Sequence, residues 1–133
     1  MSAVFADTVY FLALLNPADQ WHVCARDLSA HPLATWSRRD SLRWGVGDGL
    51  SRPSDRRRFA RLLELLRAQP DVEIAPVSHQ LFAPGCELHA QRPDKDWSLT
   101  DCTSFIVMKA KGLESALTAD HHFAQTGYSV LMR

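Results

Sequence analysis

Short apolar segments alternate with helix-patterned segments along the whole sequence, and this alternation restricts the chain to few architectures. Val4, Phe5 and Ala6 form a buried-strand run closed by Asp7. Asn16-Pro17 reads as a helix start, Asn at the N-cap and Pro in the first turn, with Trp21, Cys24, Ala25 and Leu28 on one face. Pro32–Trp36 reads as a second strand, and Ser41–Leu50 as a weak helix interrupted by Gly45, Gly47 and Gly49. Ser54 is placed as the cap of a clearer helix with a Phe59, Leu62, Leu63 and Leu66 stripe, stopped by Pro70. Val72–Val77 reads as a strand and Ser78–Ala90 as a helix, interrupted by Pro84 and Gly85. Ser98 and Asp101 have capping-box spacing ahead of a helix that ends at Gly112. Ser115–Ala119, Asp120–Gln125 and Tyr128–Met132 complete the pattern as strand, helical turn and strand. Such alternation predicts a single-domain three-layer α/β/α fold over residues 1–133, with a mostly parallel central sheet.

The 133 residues are 46% hydrophobic and 23% charged, which excludes a disordered chain. The longest apolar run, Val9–Leu15, is far below the ~18–20 residues of a membrane span. No secretory leader is evident, and Cys24, Cys86 and Cys102 have neither zinc nor disulfide spacing, so a soluble cytoplasmic protein with reduced thiols is expected. Formal net charge is zero, but its distribution is uneven. From Trp36 to Arg67 nine arginines face four acids, a net of +5, leaving −5 elsewhere. That basic segment is either a solvated helix face or a surface for backbone phosphates.

In an open parallel sheet, ligands bind beyond the carboxyl ends of the strands. Asp7 and Asp120 each follow a predicted strand, and Asp101 lies in the first turn of a helix. If the first and fourth strands are neighbours, these acids meet at one rim. Two carboxylates ~4 Å apart repel by about 4 kcal/mol at an effective dielectric of ~20. Mg²⁺ or Mn²⁺ would relieve that repulsion and activate water for attack on a phosphate. Each acid also has a plain alternative: Asp7 as cap of a helix from Thr8, Asp101 as partner of Ser98, Asp120 as cap of His121–Gln125. His121-His122 is a poor metal pair on spacing, because adjacent helix residues do not share a face, and contact with a phosphate is the better reading.

Asp96–Gly112 (DWSLTDCTSFIVMKAKG) and Ala116–Leu131 (ALTADHHFAQTGYSVL) resemble the C-terminal half of PIN-domain proteins. Phe5–Ala25 (FADTVYFLALLNPADQWHVCA) and Gly47–Phe59 (GDGLSRPSDRRRF) resemble other stretches of that family, which includes the VapC-type toxins. The resemblance implies a parallel sheet between helices, a magnesium or manganese site, and RNA phosphodiester hydrolysis. It assigns Asp7, Asp101 and Asp120 to the metal and to catalysis. With RNA as the substrate, the basic segment is expected to contact its backbone through Arg38, Arg39, Arg43, Arg52, Arg56, Arg57 and Arg58, and an antitoxin protein and a second copy of the chain are expected partners. Most active members carry a Glu where this chain has Gly45, and Asp48 is the candidate substitute. The residues thus leave three readings: a ribonuclease, a catalytically degenerate RNA- or protein-binding module, and a phosphatase-like hydrolase.

Overall fold

A computed structural model describes residues 3–30, 34–38, 52–75 and 78–133, with the backbone alone at 34, 36–38 and 75. Strands β1 (Ala3–Ala6), β2 (Ala34–Arg38), β3 (Val72–Ala75), β4 (Ser115–Leu117) and β5 (Ser129–Val130) form one sheet in the order β3-β2-β1-β4-β5. Every pairing is parallel, and β1 meets β4 with Phe5 opposite Ala116 and Ala6 opposite Leu117. The helices are α1 (Thr8–Leu15), α2 (His22–Ser29), α3 (Pro53–Ala68), α4 (His79–Gln91), α5 (Leu99–Lys111) and α6 (His121–Gln125).

Alternation along β1 and β4 divides the core between the two faces of the sheet. Val4, Ala6 and Leu117 pack with Tyr10, Phe11 and Ala13 of α1, Ala25 of α2 and Leu62 of α3. Phe5 and Ala116 pack on the other face with Cys102, Phe105 and Met108 of α5 and Phe123 of α6. The chain moves outward from β1 to β2 and β3, then returns past β1 to β4 and β5. Right-handed crossovers put the helices of the two directions on opposite faces, which yields the three-layer α/β/α architecture. The predicted α/β class with a parallel sheet is therefore the observed one. Among the described residues no helix is long and apolar enough to cross a membrane.

Local chemistry shifts several boundaries. Asn16 ends α1 instead of starting the next helix, and its Oδ1 accepts from the Ala18 amide at 3.0 Å. Asp19 Oδ1 then accepts from the Trp21 amide at 2.8 Å, so α2 begins only at His22. Side chains of Asn and Asp close turns by the same bonds that cap helices, so a sequence reading confuses the two. Ser54 likewise lies inside α3, where Arg52 holds the cap position and Pro53 the first turn. The strands expected over Ser115–Ala119 and Tyr128–Met132 end earlier, at Leu117 and Val130, and the last two residues of the one expected over Val72–Val77 lie outside the described residues. The expected helix over residues 41–50 lies outside the described residues.

Helix α4 continues through Pro84 and Gly85. Gly85 is buried where α4 meets α5, and a Cβ there would collide with the methyl of Thr103. Thr103 is itself fixed, because its hydroxyl donates to the Leu99 and Thr100 carbonyls at 3.1 and 3.0 Å. Gly85→Ala should therefore destabilise the protein by about 1–3 kcal/mol, the usual range for overpacking. Urea unfolding measures this, and an unchanged midpoint would contradict the close approach of the two helices.

Candidate functional site

The order of the strands places a crevice between the carboxyl ends of β1 and β4, where successive connections turn to opposite sides. Asp7 directly follows β1, and its amide donates to the Leu117 carbonyl of β4 at 3.2 Å. Its carboxylate is only 9% exposed. Although Asp7 occupies the cap position of α1, its side chain makes no cap bond to that helix. Instead Asp7 Oδ2 accepts from the Thr118 hydroxyl at 3.0 Å.

Burial pushes the Asp7 carboxyl up to about 6, against the stabilising hydrogen bonds from Thr118 and from the Thr8 backbone. The negative charges of Asp101 and Asp120 push it in the same direction as burial. The three acids therefore share one electrostatic neighbourhood although they lie far apart in sequence.

Asp101 is held by the capping box of α5: the Ser98 amide donates to its Oδ2 at 3.0 Å, and its own amide donates to Ser98 Oγ at 3.0 Å. Asp120 caps α6, with its Oδ1 accepting from the His122 amide at 2.9 Å. Both plain capping roles are thus real. They do not exhaust these carboxylates, because the His122 ring lies between them. Its Nδ1 is 3.1 Å from Asp101 Oδ2 and 3.3 Å from Asp120 Oδ1. The side chains of Asp101 and His122 are 15% and 19% exposed, so this contact is largely shielded.

Thr118 is a site residue that the sequence reading missed. It is completely buried, donates to Asp7, and accepts from the Asp120 amide at 3.1 Å. One hydroxyl therefore ties the first acid to the backbone of the last. A polar residue between the end of an apolar strand and an acid is a signal for such a link, but its partner is 111 residues away. Thr118→Val keeps the shape, removes the donor to Asp7 and leaves the Asp120 amide unpaired. It should cost about 1.5–3 kcal/mol, the scale of a hydrogen bond to a charged group. Thr118→Ser should restore most of this in a thermal melt, and equal losses in both variants would contradict the hydroxyl's role.

The histidine pair also departs from expectation. At the start of α6 both rings reach the same carboxylate, with His121 Nδ1 3.7 Å from Asp120 Oδ1 and the ring centroids 4.3 Å apart. Asp120, His121 and His122 each offer a ligand atom, and these atoms lie within 4.8 Å of one another. Divergence of neighbouring side chains holds in a helix interior and fails at a first turn beside its own cap. The donors at the rim are thus the Asp120 carboxylate and the imidazole nitrogens of His121 and His122, with Asp101 reaching His122 and the desolvated Asp7 feeling the charge of both acids. This set fits a divalent cation, which would offset the charge that burial of Asp7 leaves uncompensated.

The arginines are less concentrated at the rim than the acids. Arg38 ends β2, at the same carboxyl edge of the sheet as Asp7. Arg52, Arg56 and Arg57 are exposed at the start of α3. Arg58 donates to the Leu15 carbonyl at 3.2 Å and approaches Asp55 at 3.9 Å, so it helps seat α3 against the end of α1. Arg39, Arg43, Gly45 and Asp48 lie outside the described residues.

No family model matches the chain. The 23S rRNA-specific endonuclease VapC20 from two strains of Mycobacterium tuberculosis is 26% identical over 125 residues, covering 94% of this chain and 95% of the relative. The crystal structure of Mycobacterium tuberculosis VapC20, described as a sarcin-ricin loop cleaving toxin, superposes with a TM-score of 0.86 at 26% identity. It covers 98% of this chain and 99% of that one. Near end-to-end agreement in both sequence and fold, added to the parallel sheet with its acidic rim, bears out the resemblance of the chain to PIN-domain proteins of the VapC type.

Proposed function

We propose that this chain is a metal-dependent endoribonuclease, the toxin of a toxin–antitoxin pair, in which Asp7, Asp101 and Asp120 hold Mg²⁺ or Mn²⁺. The observation that carries the reading is the gathering of these acids at the β1–β4 crevice, with Asp7 desolvated there and its carboxyl raised to about 6. The similarity to VapC20, an endonuclease acting on 23S rRNA, supports RNA as the substrate.

A divalent cation bound at this site supplies polarisation of a phosphate oxygen and a water of lowered pKa. The protein's own groups prepare for that. Thr118 orients one oxygen of Asp7, the capping box orients Asp101, and the His122 amide orients Asp120. Each acid thereby enters the site with its direction set by a donor from the fold, which reduces the reorganisation that binding requires. Arg38, Arg39, Arg43, Arg52, Arg56 and Arg57 engage backbone phosphates, positioning the RNA without reading its bases. Arg58 contributes less, because its guanidinium already serves the Leu15 carbonyl and Asp55. The whole of residues 1–133 acts as one catalytic domain, in the cytoplasm where its RNA is found, as a homodimer silenced by an antitoxin protein.

Gly45 supports a second reading. It contributes no carboxylate where active relatives of this type place a Glu. If Asp48 does not replace that group, the domain binds a cation and RNA without cutting.

Cleavage of a labelled ribosomal RNA fragment spanning the sarcin–ricin loop separates the readings. With Mn²⁺ the protein should produce discrete products, and chelation or Asp101→Asn should abolish them. Tight Mn²⁺ binding with intact RNA under every divalent ion would overturn the nuclease and favour the binding module.

A further inference from the structure

We propose that His122 is a nitrogen ligand of the cation at this rim, acting through Nδ1, and that it biases the site toward manganese and cobalt over magnesium. The inference rests on the cation-binding part of the proposed function and adds to it a donor that is not a carboxylate.

Geometry singles out His122. One nitrogen lies 3.1 Å from Asp101 Oδ2 and 3.3 Å from Asp120 Oδ1, joining acids supplied by two different helix starts. Among the described residues the ligand atoms of Asp120, His121 and His122 lie within 4.8 Å of one another, and Asp101 meets this group through the His122 nitrogen. The ring is also held in place. The backbone amide of His122 is anchored on Asp120 at 2.9 Å, and the ring packs against that of His121. Its side chain is 19% exposed, whereas that of His121 is 76% exposed and approaches Asp120 only to 3.7 Å. His121 is therefore the comparison for the test, an exposed imidazole next door whose nitrogen stands farther from Asp120 than that of His122 does.

The sequence supplies an independent reason. Gly45 leaves the acidic set one side chain short of the four donors expected from the resemblance. His122 restores a fourth donor to Asp7, Asp101 and Asp120, and it is already in contact with two of them. The exchange of a carboxylate for an imidazole has a chemical consequence. Mg²⁺ favours an all-oxygen octahedron and keeps its waters, whereas a neutral imidazole suits more borderline ions.

The test uses the full chain with Mn²⁺ alone as the probe, in wild type, His122→Gln and His121→Gln. Pulsed electron paramagnetic resonance reads nitrogen bound directly to manganese, and calorimetry reads affinity. Wild type and His121→Gln should show one coupled imidazole nitrogen. His122→Gln should lose that coupling and about tenfold in Mn²⁺ affinity, with Mg²⁺ affinity changed by less than about twofold. Histidine labelled with ¹⁵N in the wild type and in His121→Gln gives the same answer should His122→Gln fail to fold. Bound manganese without nitrogen coupling, or coupling that survives in His122→Gln, overturns the role of His122 and leaves the carboxylate site standing. Absence of any Mn²⁺ binding in the wild type overturns both.

Discussion

In the absence of divalent cations, Asp7→Asn should be more stable than the parent at pH 7, whereas with Mn²⁺ present it should lose about 10³-fold in RNA cleavage. The carboxyl of Asp7 titrates near 6 in the folded chain, against about 3.9 for an unfolded aspartate. Between those values the folded state holds a proton that the unfolded state has released. Stability from this group is therefore complete below about pH 4 and declines as pH rises through 6. Roughly two pKa units correspond to about 3 kcal/mol of penalty at neutral pH. The Asn amide keeps an acceptor for the Thr118 hydroxyl and carries no charge to desolvate. The variant's stability should consequently vary much less between pH 4 and 7. Saturating Mn²⁺ should reverse the ranking, since a ligand at about 100 times its Kd adds about 2.7 kcal/mol to the parent. A tenfold change in rate is about 1.4 kcal/mol, so the predicted activity loss corresponds to about 4 kcal/mol. Chemical denaturation across pH, with and without Mn²⁺, checks both signs. A parent more stable than Asp7→Asn at pH 7 without metal would contradict the desolvated carboxylate.

Phe123→Ala should cost about 3–5 kcal/mol, the range for removing a buried aromatic ring. Phe123 is fully buried, stacks on Phe5 of β1 at 6.0 Å and meets Phe105 of α5 edge-on at 5.0 Å. Those three rings join the helix that carries His121 and His122 to the strand that carries Asp7. The same cluster extends through Phe105 to Trp97, whose indole donates to Gln125 at the end of α6 at 2.8 Å. Because α6 has only five residues, it depends on this packing to hold its place. The variant should therefore weaken Mn²⁺ binding even at temperatures where it remains folded. Calorimetric unfolding measures the stability loss, and one below about 1 kcal/mol would mean that the cluster does not anchor the site.

The extent to which the sequence announces this architecture depends on the range of each interaction. Asp7 closing an apolar run, the Ser98–Asp101 box and Gly112 at a left-handed helix end are local features, readable from spacing. The neighbouring positions of β1 and β4 are not local. Their pairing joins residues more than a hundred positions apart, and only the alternation of elements with the sheet-edge rule suggested the common rim. The role of Thr118 is only half local: its bond from the Asp120 amide is two residues away, but the carboxylate it serves is 111 residues distant. The closeness of both histidine rings to Asp120 is not legible from helix periodicity, because they sit in the first turn of a five-residue helix beside its own cap. Asn16 and Ser54 have the residue types of helix caps, but Asn16 closes a turn and Ser54 lies within the first turn of α3.

The account centres on one cation shared by Asp7, Asp101 and Asp120, and a calorimetric Mn²⁺ titration of the parent and the three single Asn variants tests it most directly. Each substitution should weaken binding by at least about tenfold, since each removes a charged oxygen donor from the same site. The parent should bind one ion tightly, with a matching gain in melting temperature. Unchanged Mn²⁺ affinity in any one of the three variants would contradict the shared site.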